Sequence, residues 1–221
     1  MNVIAIDGPA GSGKSTVAWR VAKEINYLYI DTGAIYRALT LKAMNEKANL
    51  SDKGELAALS EKADIRLEAD RSRLKVFLDG KDVSESIRSM DVTASVKHLA
   101  SVKGVRKNMV RLQRRLAEGS KGAVLEGRDI GTVVFPDAKH KFYLDASLDV
   151  RVGRRFKELK EKGCDISEGE VKEDVMARDA SDMTRSEGPL KKADDAVRVD
   201  TTGMTVDEVV KQIVTRLKPP G

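Results

Sequence analysis

The sequence predicts an α/β protein of three layers, in which a parallel sheet is covered by helices on both faces. Short apolar runs of strand length recur along the 221 residues, and segments with helical periodicity separate them. The first run leads directly into a glycine-rich loop and then into a helix. Strands that alternate with helices indicate a parallel sheet, and a chain of this length buries a real core, either alone or with a small insertion.

Five apolar runs are the strand candidates. They are residues 3–6, 27–30, 123–125, 141–144 and 197–199. The last helix has the clearest start, because Thr205 and Glu208 have the spacing of a capping box. Its apolar residues fall on one helical face: Val206, Val209, Val210, Ile213, Val214 and Leu217. This pattern predicts a final amphipathic helix.

The stretch from residue 59 to residue 101 departs from the alternation and predicts a small α/β insertion. Residues 65–67 and 74–78 alternate like antiparallel strands, and Asp79-Gly80 is a turn signal between strands. Short helical pieces follow these strands.

A second irregular region runs from residue 151 to residue 169. It starts as a basic helix with Arg151, Arg154 and Arg155 and ends in a polar segment at 163–167. A charged helix of this kind is either a solvated face or part of a mobile lid, and its composition fits both.

The glycine-rich loop predicts a site for the polyphosphate of a nucleoside triphosphate. Its residues are Gly8, Pro9, Ala10, Gly11, Ser12, Gly13, Lys14, Ser15 and Thr16. The glycines let the backbone approach a ligand closely and turn successive N–H groups inward as an anion nest. Lys14 supplies a full charge for the outer phosphates, and the Ser15 hydroxyl is a candidate ligand for Mg²⁺.

Four further segments carry arginines beside loop residues. They are 31–37, Val105-Arg106, 127–132 and 178–185. Two of them follow strands, so we expect them at the carboxyl edge of the sheet, where open α/β sheets bind ligands. A guanidinium binds phosphate through two hydrogen bonds and stays charged. One such arginine is more often a surface ion-pair partner, but several together at strand ends favour a second anion site.

The composition limits the classes of function. Lys and Arg outnumber Asp and Glu by 40 to 35, which suits an anionic ligand, and aromatic residues make up only 4% of the chain, which disfavours a base-stacking platform for nucleic acid. No apolar run reaches the roughly 18 residues of a membrane span, and the N-terminus lacks a leader pattern, so we expect a cytoplasmic protein. Two histidines and one cysteine, Cys164, disfavour a zinc site and an internal disulfide.

Phosphoryl transfer fits both the lysine and arginines that the sequence contains and the nucleophilic and histidine arrangements that it lacks. The chain has no serine–histidine–acid arrangement and no histidine cluster, and phosphoryl transfer is catalysed mainly by positioning and charge neutralisation. A GTPase is the alternative among proteins with such a loop, but the chain has no Asn-Lys-x-Asp sequence. A kinase for another small acceptor, such as shikimate, and a nucleotide-dependent nucleic-acid-binding protein stay open.

Three segments resemble bacterial cytidylate kinases, which are P-loop nucleoside monophosphate kinases: 6–16, 31–37 and 127–138. The resemblance extends along nearly the whole chain, and 127–138 is its most specific segment. It implies transfer of the γ-phosphoryl group of ATP to CMP or dCMP, with Mg²⁺, on a P-loop NTPase-type sheet. It also implies a core of residues 1–58, 102–150 and 170–221, a nucleoside-monophosphate-binding insertion at 59–101 and a lid at 151–169.

The resemblance further implies roles for single residues. Residues 8–16 hold the ATP phosphates, and Arg151, Arg154 and Arg155 close over the ATP. The acceptor residues are Thr32, Arg37, Arg106, Arg128, Asp129, Arg178, Asp182 and Arg185, of which Asp182 contacts the ribose and Arg106 and Asp129 read the base. The catalytic residues are Lys14, Arg128, Arg155, Arg178 and Arg185, and Ser15 is the metal ligand.

The chemistry of cytosine agrees with the base-reading pair. Asp129 is a natural acceptor for the exocyclic amino group of cytosine, whereas uracil presents a carbonyl there and would leave a mispaired buried group. Arg106 is a donor for the ring O2 and N3. We expect CMP and dCMP as the partners of a monomer that binds neither nucleic acid nor membrane.

Two positions depart from the family pattern. Lys97 stands where the family commonly has a base-reading serine, and Ser95 lies two residues earlier. Either a local shift in register brings Ser95 into the site or that contact is missing. Glu126 stands where an aspartate is usual, near the expected metal site.

Overall fold

A computed structural model describes residues 2–69 and 74–217, and within this part of the chain five strands form one parallel sheet. Its order is β2-β6-β1-β7-β8, and every neighbouring pair is parallel. The strands are β1 (Asn2–Asp7), β2 (Leu28–Asp31), β6 (Gly122–Gly127), β7 (His140–Asp145) and β8 (Val197–Asp200). All five strands predicted from apolar runs are therefore confirmed. β1 and β6 are buried almost throughout, as is typical of parallel strands covered on both faces, whereas the edge strand β8 buries only Val199.

The helices cover both faces of this sheet. The connections from β1 to β2 and from β2 to β6 cross the sheet in opposite directions, and right-handed crossovers then place their helices on opposite faces. The helices are α1 (Lys14–Glu24), α2 (Thr32–Asn45), α3 (Lys53–Lys62), α4 (Met90–Ala100), α5 (Lys103–Glu118), α6 (Leu148–Glu161), α7 (Glu168–Thr184) and α8 (Val206–Leu217). No helix of the described residues is long and apolar enough to cross a membrane.

The register of the sheet brings acidic side chains together at its carboxyl edge. Ile6 of β1 lies beside Glu126 of β6, and Glu126 lies beside Asp31 at the end of β2. Asp7, the last residue of β1, pairs with Gly127. The residues that follow these three strands therefore meet at one edge, as the sequence predicts.

A second sheet lies in the segment predicted as an insertion. It has the order β3-β4-β5, with β3 (Ile65–Ala69), β4 (Leu74–Leu78) and β5 (Lys81–Asp82) antiparallel. The predicted turn at Asp79-Gly80 joins β4 to β5, and both of its residues have positive φ, 48° and 82°, as a tight hairpin turn requires. The connection from β3 to β4 lies outside the described residues. A 3₁₀ turn (Ser86–Arg88) and α4 complete the segment.

Helices α6 and α7 form a hairpin with a hydrophobic cluster of its own. Its buried residues are Val152, Leu159, Val171 and Val175, and Cys164 packs against them from the connecting segment. Helix α7 starts with a capping box, in which Ser167 and Glu170 bond each other's backbone N–H groups. The same device, predicted for Thr205 and Glu208, is present before α8. The α6–α7 hairpin therefore has a small hydrophobic core that is separate from the main one.

Candidate active site

The phosphate loop, residues 8–16, is wedged between the end of β7 and the start of α6. Gly8 has a φ of 152°, and a Cβ there would lie 2.0 Å from the carbonyl oxygen of Leu144. Gly11 has a φ of 74°, and a Cβ would lie 2.8 Å from the carbonyl oxygen of Arg151. Glycine is required at both positions because any side chain would displace this backbone.

Lys14 opens helix α1 and is buried within the loop. Its ammonium donates to the carbonyl oxygen of Pro9 at 2.5 Å and to the Ser12 hydroxyl at 3.3 Å. Burial, and then the nearby Arg128 guanidinium, lower the pKa of Lys14 to about 7. The unpaired N–H groups at the start of α1 add to this charge, so the loop is a site for a polyphosphate.

Ser15 and Glu126 supply oxygen atoms beside the loop. The Ser15 hydroxyl lies beside the buried Glu126 carboxylate and favours its charged form, and the Tyr29 hydroxyl donates to the same carboxylate at 2.9 Å. Burial, and then the Asp31 carboxylate, raise the pKa of Glu126. One hydroxyl and one carboxylate, with substrate phosphates, suit Mg²⁺, which binds few protein ligands. No group of three or more metal-binding side chains occurs within the described ranges.

Asp179 of α7 supports the loop from behind. Its carboxylate accepts the backbone N–H of Ala10 at 3.1 Å and forms a buried ion pair with Arg151. Arg151 also donates to the carbonyl oxygen of Ala10 at 3.0 Å. We expected Arg151 to close over ATP, but the structure places its side chain elsewhere. The side chain is buried behind the loop and does not line the cavity in front of it.

That cavity, of about 1370 Å³, extends from the phosphate loop to α4 and α5. The predicted site residues that line it are Ala10, Gly11, Ser12, Gly13, Lys14, Ser15, Thr16, Thr32, Arg37, Arg106, Arg128, Asp129, Arg154, Arg155, Arg178, Asp182 and Arg185. Gly8 and Pro9 lie behind this surface. These residues come from distant parts of the sequence, and they meet because the sheet edge and the α6–α7 hairpin face the same cavity.

The arginines of the second site are held by carboxylates. Asp182 accepts from Arg128 at 2.7 Å and from Arg185 at 3.2 Å. Arg37 pairs with Asp31 at 3.0 Å. Thr32, the residue after Asp31, donates its hydroxyl proton to the carbonyl oxygen of Glu126 at 2.7 Å. These pairs fix the guanidinium groups at one side of the cavity, facing the loop.

Three further arginines of the cavity lie on α6 and α7. Arg178 lies 3.7 Å from Asp174, and Arg155 lies 2.9 Å from Glu158. Arg154 of α6 donates to the hydroxyl of Thr201 at 3.0 Å and to its carbonyl oxygen at 2.7 Å. The α6–α7 hairpin thus brings Arg154, Arg155 and Arg178 to the cavity, although Arg154 is anchored to the segment after β8.

Arg106 and Asp129 form a buried ion pair at the end of the cavity away from the loop. Burial raises the pKa of Asp129, and the Arg106 and Arg185 guanidinium groups oppose that rise. Gly188 covers the pair, and a Cβ there would lie 2.1 Å from a nitrogen of Arg106. The pair presents donors and an acceptor side by side, which is the pattern that reads a heterocyclic base edge.

Asp7 is a site residue that the sequence reasoning missed. Its carboxylate accepts the N–H groups of Ile130 and Gly131, both at 2.8 Å. These residues begin a short π-helix (Ile130–Val134) directly after Asp129. Burial raises the pKa of Asp7 to about 6. An acidic residue at the end of a fully buried strand is the signal that could have identified it.

Lys97, which stands where the family commonly has a base-reading serine, lies on the cavity wall. Thr93 and Ser101 also line the cavity, whereas Ser95 does not. The register of α4 therefore does not bring Ser95 into the site, which decides between the two alternatives for that position.

A phosphate loop that shares one cavity with a second, arginine-rich site defines a P-loop kinase, an enzyme that passes a phosphoryl group to another small molecule. The family model for cytidylate kinase matches residues 4–219. The chain belongs to the cytidylate kinase family.

Relatives agree with this assignment. A cytidylate kinase of Desulforamulus reducens is 50% identical over 96% of this chain and 95% of the relative. A cytidylate kinase of Pelotomaculum thermopropionicum is 48% identical over 97% of this chain and 95% of the relative. One of Caldanaerobacter subterraneus is 46% identical over 97% of this chain and 94% of the relative.

Solved structures support the fold. TT1252 from Thermus thermophilus aligns with a TM-score of 0.50 at 22% identity, covering 99% of this chain and 98% of that one. An uncharacterized protein from Eubacterium ventriosum aligns with a TM-score of 0.50 at 13% identity, covering 98% of both chains.

Proposed function

We propose that this protein transfers the γ-phosphoryl group of ATP to CMP or dCMP, giving ADP and CDP or dCDP. Membership of the cytidylate kinase family supports the reaction. The observation that carries the choice of acceptor is the buried Arg106–Asp129 pair, which lies in the same cavity as the phosphate loop but apart from it.

ATP binds with its phosphates on residues 8–16. The backbone N–H groups of the loop and Lys14 neutralise the phosphate oxygens. The Ser15 hydroxyl and the ATP phosphates would hold Mg²⁺, with the Glu126 carboxylate beside them as a partner for its water ligands, and the ion would supply charge neutralisation. Arg154 and Arg155 approach the ATP from α6.

The acceptor nucleotide occupies the other half of the cavity. Asp129 accepts the exocyclic amino group of cytosine, and Arg106 donates to the ring O2 and N3. Asp182 is placed for the ribose hydroxyls, and the acceptor phosphate lies among Arg37, Arg128 and Arg185. UMP is rejected because its carbonyl would face the Asp129 carboxylate with no proton between them.

The transfer needs positioning and charge stabilisation more than proton chemistry. Lys14, Arg128, Arg155, Arg178 and Arg185 surround the space between the two phosphates, where negative charge spreads in the transition state. Residues 59–101 act as the nucleoside-monophosphate-binding insertion and 151–169 as the lid. Their closure excludes water, which would otherwise hydrolyse ATP.

A coupled assay of ADP release with CMP, dCMP, UMP and AMP tests the proposal. We expect turnover with CMP and dCMP that is at least about 100-fold more efficient than with UMP or AMP, as polar readout of a base edge allows. Equal efficiency with UMP would overturn the base-reading assignment. Turnover of a non-nucleotide acceptor alone would overturn the proposed function.

Three further features complete the proposal. The protein is a cytoplasmic monomer that does not bind nucleic acid. Sedimentation of the purified protein tests the monomer, and cell fractionation tests the location. A salt-sensitive gel shift without acceptor-dependent turnover would instead favour a nucleic-acid-binding protein.

A further inference from the structure

Tyr36 has a buried hydroxyl group that the proposed reaction does not yet use. It lies on α2 and is only 8% exposed, and its side chain reaches the cavity. Among residues 2–69 and 74–217, the Tyr36 hydroxyl has no hydrogen-bond partner. The neighbouring Tyr29, by contrast, donates its hydroxyl proton to Glu126. A buried hydroxyl without a partner is costly, so its place in the site needs a reason.

The surroundings of Tyr36 are the base-reading residues. The guanidinium carbon of Arg106 lies 5.8 Å from the centre of the Tyr36 ring. Burial raises the pKa of Tyr36 to about 12, and Arg106, Asp129 and Arg185 are the charged groups that act on it. The phenol therefore keeps its proton at neutral pH and is a donor beside these three residues.

Only one of the three charged neighbours accepts a hydrogen bond. Arg106 and Arg185 carry donors and no acceptor, whereas the Asp129 carboxylate is an acceptor only. In the structure Asp129 is paired with Arg106, which also donates to the carbonyl oxygen of Ala100 at 3.4 Å. When Arg106 turns to the O2 and N3 of a bound cytosine, Asp129 loses a donor.

We propose that Tyr36 is a positioning residue for the acceptor base. Its hydroxyl donates to the Asp129 carboxylate when CMP occupies the site, replaces the donor that Arg106 withdraws and holds the carboxylate toward the amino group of cytosine. This inference rests on the proposed function and assigns one more residue to its base-reading end.

Tyr36→Phe keeps the ring and removes only the donor. We expect the KM for CMP to rise about tenfold, as for a lost hydrogen bond to a charged group, with a smaller change in kcat. The preference for CMP over UMP, as a ratio of kcat/KM, falls by a similar factor. ATP affinity stays at the wild-type value, and the urea midpoint of the ligand-free protein does not fall, because the change removes a buried hydroxyl that has no partner there. Tyr27→Phe is the matched control, since the Tyr27 hydroxyl bonds to Asn2 away from the cavity.

A double-mutant cycle with Asp129→Ala distinguishes positioning from direct contact. If Tyr36 acts through Asp129, Tyr36→Phe causes no further loss in the Asp129→Ala background. The same holds with Asp129→Leu, which also lacks an acceptor, should the alanine variant not fold. Additive losses would overturn the proposal, because Tyr36 would then contact the substrate independently. An unchanged KM in Tyr36→Phe, or equal losses with CMP and UMP, would also overturn it. Absence of CMP turnover in the unmodified protein would instead overturn the proposed function.

Discussion

Asp7 and Gly131 are joined by a 2.8 Å hydrogen bond, which the Gly131 N–H donates to the Asp7 carboxylate. The bond connects the end of β1, where the phosphate loop starts, to the backbone just after Asp129, the residue that we propose reads the base. The two halves of the cavity are thus fixed to each other through one buried side chain and not only through the sheet.

Asp7→Ala leaves the N–H groups of Ile130 and Gly131 without acceptors. Each unpaired buried group costs about 1–3 kcal/mol, but the cost of burying the Asp7 carboxylate is removed as well. We expect a net loss of about 2 kcal/mol in the free energy of unfolding, measured by urea denaturation. The KM for CMP should rise more than the KM for ATP, because the displaced backbone carries Arg128 and Asp129. Equal stability and kinetics would contradict the anchoring role.

The lowered pKa of Lys14 predicts that the protein takes up a proton when it binds ATP. Its pKa is lowered from 10.5 to about 7 in the free protein, and bound polyphosphate favours the charged form and raises that pKa again. Between about pH 7 and 10 the free amine is partly neutral, so ATP affinity falls as pH rises through this window. Calorimetry at pH 8 in two buffers of different ionisation enthalpy measures the proton uptake. Lys14→Ala should abolish the uptake and lower turnover with every acceptor; uptake that persists in this variant would assign it to another group.

Asp129→Ala separates acceptor reading from ATP binding. We expect kcat/KM for CMP to fall by about 100-fold or more, because a buried donor of the base loses its acceptor, while the Kd for ATP changes less than about twofold. Asp137→Ala, at an exposed position of the same segment, is the control and should match the unmodified protein. A comparable loss of ATP affinity would show that Asp129 is structural.

Asp179→Asn tests the support behind the phosphate loop. The change leaves the buried Arg151 without its charge partner, and breaking such a pair costs about 3–5 kcal/mol. We expect a lower urea midpoint and a weaker Kd for ATP. Asp149→Asn removes a carboxylate that is 89% exposed and 3.7 Å from Lys172, where about 0–1 kcal/mol is expected. Equal effects of the two variants would argue against a special role for Asp179.

Glu126→Gln keeps the size of the side chain and removes its charge. If Glu126 orients the water ligands of Mg²⁺, the Mg²⁺ concentration for half-maximal rate should rise about tenfold, in the range seen when such supporting partners of a metal are lost. Tyr29→Phe, which removes only a hydrogen bond to Glu126, should have a smaller effect. A metal dependence that does not change would restrict Glu126 to a packing role.

The strands, the phosphate loop and the final helix are readable from sequence because each depends on a local pattern. The buried run at 3–6, the glycine spacing after it and the Thr205–Glu208 box are examples. The capping box at Ser167 and Glu170 has the same spacing and could have been found in the same way. The two-residue strand β5 is too short to leave a periodic signal.

The supporting residues of the site are not readable in this way. Asp7 meets Gly131, and Asp179 meets Ala10, only after the chain has folded. The position of Arg151 likewise depends on how α6 packs, so its spacing could not tell a side chain that faces ATP from one that supports the loop. The Tyr36 hydroxyl is buried without a hydrogen-bond partner, and only the folded structure shows this.

Helix α7 touches both halves of the cavity. Asp179 holds the phosphate loop through Ala10, while Asp182, one turn further along the same helix, holds Arg128. If occupancy of one half shifts this helix, the contacts in the other half change with it, and we then expect the two ligands to be thermodynamically linked. Linkage is reciprocal: the factor by which ATP alters the affinity for the acceptor equals the factor by which the acceptor alters the affinity for ATP.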